Sequence, residues 1–121
     1  MNSAAITSAL LKYRERLTTG MLISRFGDDP PRYCSIGCLL AVGGMSDNAI
    51  ASLPDEGYGL WEDSEARNIL VKRYGFESAS QVEEVIGVND NTPGVHDDLP
   101  QVKLSARILT AVKGFLGAFV A

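Results

Sequence analysis

Apolar residues recur at helical steps along most of this chain, and polar or glycine-containing breaks separate the runs. Ile6, Leu10, Tyr13 and Leu17 follow one another at steps of four, three and four, which is one face of an α-helix. Ser3 is a candidate N-cap for it, and Gly20 a candidate C-terminal stop. Met21 to Phe26 is a short apolar segment with the character of an extended stretch. Asp28-Asp29-Pro30-Pro31 must be a loop, because paired prolines lack N–H donors and push the preceding residue out of helix. Ser35 to Val42 reads as a short, fully buried helix ended by Gly43-Gly44, and Ser46-Asp47 opens another through Ala51.

The second half continues the pattern. Pro54 to Gly59 reads as a loop, with Leu60 and Trp61 anchoring it on the core. Asp63 or Ser64 caps a helix whose Ala66, Ile69, Leu70 and Tyr74 share a face; Lys72 and Arg73 suit its last turn, and Gly75 ends it. Ser78-Ala79-Ser80-Gln81 has the form of a capping box, opening a helix with Val82, Val85 and Ile86 that stops at Gly87. Val88 to Pro100 reads as a long turn-rich loop. A last helix is predicted from about Gln101 to Phe119, with Val102, Leu109, Val112, Leu116 and Phe119 as its stripe and Leu104, Ile108 and Phe115 widening it. Gly114 and Gly117 within it suggest a close helix contact. Such breadth suits either the centre of a small bundle or a helix that also forms a homodimer.

The expected fold is therefore all-α or mostly α, a compact helical bundle of about five to six helices with a short extended segment near 21–26. A chain of 121 residues, 45% hydrophobic and 21% charged, fits one domain over 1–121. No run approaches the roughly 20 apolar residues of a membrane span, and the polar start, Met1 to Ala9, lacks the apolar core of a secretion signal. With only two cysteines, this points to a cytoplasmic protein.

Charge changes the picture. From Asp47 to Asp98 twelve acids stand against Arg67, Lys72 and Arg73, while the flanks hold Glu15, Asp28 and Asp29 against eight bases; the middle carries about -9 and the ends about +5. An acidic middle repels phosphate, so direct nucleic-acid binding through it is not expected, whereas a basic protein partner would suit it.

The candidate chemistry centres on Tyr33-Cys34-Ser35-Ile36-Gly37-Cys38, where a polar loop meets the buried helix. A helix N-terminus favours a thiolate, so Cys34 is a candidate nucleophile. Its base would have to be His96, the chain's one histidine, with Asn89 or Asp90 as the orienting group. The papain-like order is Cys, His, then Asn or Asp; here Asn89-Asp90 precede His96. The competing reading is a packed Cys38 and a partly buried, structural Cys34. The cysteines are neither a Cys-x-x-Cys pair nor half of a zinc site, since zinc takes about four ligands. In Val88 to Asp98, Asp90, Asp97 and Asp98 could attract a hard cation, but the spacing is not that of an EF-hand and turn chemistry explains it. No metal or other cofactor is expected. Tyr33, Tyr58 and Trp61, with Glu62 and Asp63 beside them, are candidates for a ligand- or partner-binding surface.

Cys34-Ser35-Ile36-Gly37 heading an apolar helix, with Asn89-Asp90 after a Val-rich helix, resembles a family of small uncharacterised phage and bacterial proteins that pair a Cys-x-x-Gly helix with a later Asn-Asp. This chain has Val88 where that family often has Trp, and it lacks the Arg often found shortly afterwards. The resemblance implies an α-rich fold and a phage or mobile-element origin, and carries no activity. The expected function is that of a small accessory protein that binds a host protein, in one concrete form an inhibitor of a nucleic-acid-handling defence complex. The alternatives are a cysteine-dependent hydrolase or transferase using Cys34, and a small-molecule-binding protein. Whether the chain is an enzyme stays open, with the balance towards not.

Overall fold

A computed structural model describes residues 1–92 and 99–117. Among them are seven helices: α1 (Ser3–Lys12), α2 (Ser35–Val42), α3 (Asp47–Ala51), α4 (Gly57–Trp61), α5 (Ser64–Tyr74), α6 (Ala79–Asp90) and α7 (Gln101–Gly117). One antiparallel hairpin, β1 (Ile23–Ser24) with β2 (Arg32–Tyr33), pairs Ile23 with Tyr33 and Ser24 with Arg32. The mostly-α bundle and the extended segment within 21–26 are thus as expected.

α2 is the centre. Every residue from Ser35 to Leu40 is buried, and α1, α3, α5, α6 and β2 all pack on it. α7 covers α1 and α6, and α4 lies on α5 and α6. Ile6 and Leu10 of α1, Leu70 and Tyr74 of α5, Val82 and Val85 of α6, and Ile108 and Val112 of α7 converge on one core. Tyr74 is almost wholly buried, and its hydroxyl donates to the Leu39 carbonyl at 2.9 Å, so the polar tip is satisfied inside.

Local sequence explains most of the helix ends. Cys34, Ser46, Asp63 and Ser78 each accept an amide from the first turn of the helix that follows. Gly75 ends α5 in the left-handed region, at φ 71°. Asn2, not Ser3, caps α1, through a 3.0 Å bond from the Ala5 amide to its Oδ1. The Gln81 side chain accepts from Glu77, one residue earlier than a capping box requires.

Four features differ from the pattern. α1 stops at Lys12 because residues 16–18 leave the helix to bond β2: Tyr33 N–H donates to Arg16 O at 2.9 Å and Thr18 N–H to Tyr33 O at 2.8 Å. Leu17 is buried from this bridge, so it keeps the apolar rhythm without being helical. The segment read as a loop up to Gly59 contains α4, which raises the helices to seven. α6 does not stop at Gly87 but runs on to Asp90. In α7 the buried line is Ser105, Ile108, Val112 and Leu116, and Val102 is 68% exposed. Phe119 lies outside the described residues.

Candidate functional site

The two motifs singled out in the sequence meet. Asn89 is wholly buried in the last turn of α6, facing the start of α2. Its Oδ1 accepts from the Ser35 amide at 2.9 Å and from the Ser35 hydroxyl at 2.7 Å. Its Nδ2 donates to the Thr18 carbonyl at 2.9 Å and to Asp90 Oδ1 at 3.0 Å. Asp90 is exposed, and its Oδ1 also accepts the Gly20 amide at 2.9 Å. One Asn-Asp pair therefore fastens α6 to both the 18–20 segment and the first amide of α2. That amide has no partner within its own helix, which is why a side-chain acceptor is needed there.

Cys34 stands at the same junction. It is the N-cap of α2, where its Sγ accepts the Gly37 amide at 3.5 Å and its own amide donates to Leu22 O at 3.3 Å. Only 3% of its surface is exposed. Burial pushes the thiol up to about 12; the Gly37 and Ile36 amides work against this, and the carboxylates of Asp90 and Asp55 add to it. Loss of solvent thus outweighs the helix N-terminus, and at neutral pH the thiol stays protonated. Cys38 is a buried free thiol as well, also pushed up to about 12 by burial, and it donates to the Ala9 carbonyl at 3.4 Å. His96, Asp97 and Asp98 lie outside the described residues, so of the proposed catalytic set the structure brings together Cys34, Asn89 and Asp90.

The aromatic and acidic candidates do not share one pocket. Tyr33 is buried, and its hydroxyl donates to Asp47 Oδ1 at 2.8 Å; burial and that carboxylate raise its pKa. Its ring tilts against Tyr13, with the Arg16 guanidinium 4.6 Å over the Tyr13 ring. Tyr58 is on the opposite kind of surface, 61% exposed on α4. Trp61 is half-buried at the end of that helix, Glu62 is its exposed C-cap, and Asp63 spends one oxygen on the Ala66 amide as the cap of α5. An apolar groove of about 410 Å³ is lined instead by Thr92, Ala106, Arg107, Thr110 and Ala111.

Several polar partners were not singled out from sequence. Ser105 Oγ accepts the Leu17 amide at 2.9 Å and the Gln101 Nε2 at 2.8 Å, deep between α7 and the bridge. Asp55 Oδ1 accepts the Leu22 amide at 3.0 Å. Ser35 and Ser105 share a signal: each is a polar residue on an otherwise apolar stripe, and such a residue needs a buried partner.

No known protein family, curated protein or solved structure matches this chain.

Proposed function

We propose that the protein is a binding protein rather than an enzyme, and that its partner is a protein with a basic surface. One observation carries the reading: Cys34, Ser35 and Asn89 are spent inside the fold, while the exposed charged side chains of residues 47–66 are all acidic. Asn89 and Ser35 saturate each other and the adjoining backbone. Cys34 is protonated and sealed. By contrast, Asp55, Glu56, Glu62, Glu65 and Glu84 are all exposed, and no Lys or Arg occurs between Asp47 and Ala66. Such a surface draws basic partners and repels phosphate.

This suits an accessory protein of phage or mobile-element type. In its most specific form it blocks a nucleic-acid-handling defence complex by presenting carboxylates where that complex binds phosphates. The test is recovery of partners from host lysate over a rising salt series, beside a variant with Glu56 and Glu62 both changed to Lys. A partner released by salt and lost on charge reversal is expected. Failure to recover any partner, or retention indifferent to salt, refutes the reading.

A further inference from the structure

The most exposed aromatic side chain among the described residues is Tyr58, at 61%. Its surroundings differ from those of the other accessible rings. The Arg32 guanidinium covers Phe26 at 4.8 Å, and Arg16 covers Tyr13 at 4.6 Å. No cation lies over Tyr58 among the described residues, although the charge around it would welcome one. Glu62 follows one helical turn later, on the same side of α4, and Asp55 and Glu56 precede the helix. All three are exposed. Arg67 reaches the end of α4, donating to the Trp61 carbonyl at 2.9 Å, but it does not lie over the Tyr58 ring.

α4 is also held firmly enough to act as a platform. Gly57 is buried against Glu83, whose Oε1 accepts the Gly57 amide. A Cβ at 57 would come within 2.8 Å of the Glu83 Cγ, and one at 59 within 2.9 Å of the Pro54 Cβ. Leu60 is fully buried. Small residues and one leucine therefore seat the helix, and Tyr58 is left on the outside with the acids.

Resting on the basic-partner reading, we infer that the outward face of α4 is its docking point, where Tyr58 stacks on an arginine of the partner while Glu62, Asp55 and Glu56 neutralise it. A guanidinium fits this better than an ammonium, because its flat face can stack on the ring while its edge hydrogen-bonds carboxylates.

A short arginine–serine repeat peptide, titrated into the intact protein at low salt, tests this by calorimetry and by emission of Trp61, the chain's one tryptophan. Binding is expected, about fivefold or more weaker for Tyr58→Ala, unchanged for Tyr58→Phe, and weaker for the lysine–serine peptide. Tyr58 is exposed enough for Tyr58→Ala to keep the wild-type unfolding midpoint, which is measured alongside. Unchanged affinity in Tyr58→Ala overturns the inference; if the Glu56→Lys, Glu62→Lys variant still loses binding, the basic-partner reading survives on these carboxylates without the stacked ring. No binding of the arginine peptide at low salt overturns both.

Discussion

The main chain of Leu22 fills the space where a Cβ on residue 37 would stand: such an atom would overlap the Leu22 carbonyl oxygen and lie 2.8 Å from its carbon. The Leu22 carbonyl comes this close because it also accepts the Cys34 amide at the start of α2. Gly37→Ala is therefore expected to force main chain apart and to cost at least about 3 kcal/mol. Chemical denaturation checks this; a loss below about 1 kcal/mol contradicts the packing described.

The opposite sign is expected at Gly87 and Gly114. Both sit inside helices, and nothing stands within 4 Å of a Cβ at either. Replacing either with Ala is expected to stabilise by about 0.5–1 kcal/mol, through helix propensity alone. The open space at Gly114 and Gly117 also means that neither serves a close contact within the described chain, unlike the expectation from their place in α7.

Asn89→Ala leaves the buried Ser35 amide and hydroxyl, and the carbonyl of half-buried Thr18, without their partner. A loss of about 2–4 kcal/mol is expected, from more than one unsatisfied group at ~1–3 kcal/mol each. A double-mutant cycle with Ser35→Ala is expected to show a coupling of about 0.5–3 kcal/mol. Additive losses would show that the two side chains do not act as a unit.

Both thiols bear on pH dependence. An unfolded cysteine titrates near ~8.5, whereas burial holds Cys34 and Cys38 up to about 12. Between those values the folded chain keeps protons that the unfolded chain has released, so stability falls as pH rises, by up to about 1.4 kcal/mol per pH unit for each thiol. It is present in full below pH ~8. Denaturation midpoints across pH 7–11 are expected to be level and then fall, with a shallower fall in Cys38→Ala. In the same range the native protein is expected to resist alkylation until it unfolds; rapid labelling of Cys34 at pH 8 would restore it as a nucleophile.

Much of this architecture is legible where local chemistry decides it. α2, α3 and α5 begin after Cys34, Ser46 and Asp63 as their capping and apolar patterns imply. The misreadings arise where a distant partner decides. Leu17 continues the rhythm of α1, but its neighbours Arg16 and Thr18 bond the Tyr33 backbone and its own amide bonds Ser105. Gly57 and Gly59 look like loop residues, yet they are glycines because Glu83 and Pro54 press on α4. Asn89-Asp90 reads as a turn because Gly87 looks like a stop, and helix continues through it. At the candidate site, the sequence pairs Cys34 with Asn89-Asp90, and the two motifs meet. The junction implies only partial burial of Cys34, and the near-complete burial found is decided by what covers it, which a loop–helix junction does not reveal.

The bond from Asn89 to Ser35 spans 54 positions of chain, and the one to Thr18 spans 71. Loop closure of that length must precede completion of the cap on the central helix. α2 thus sits early in the chain but matures late: the partner for its leading amide arrives only when α6 docks. During synthesis the emerging N-terminal half must hold an apolar helix without that partner until Asn89 has left the ribosome, and this interval is when the chain is most exposed to misassociation.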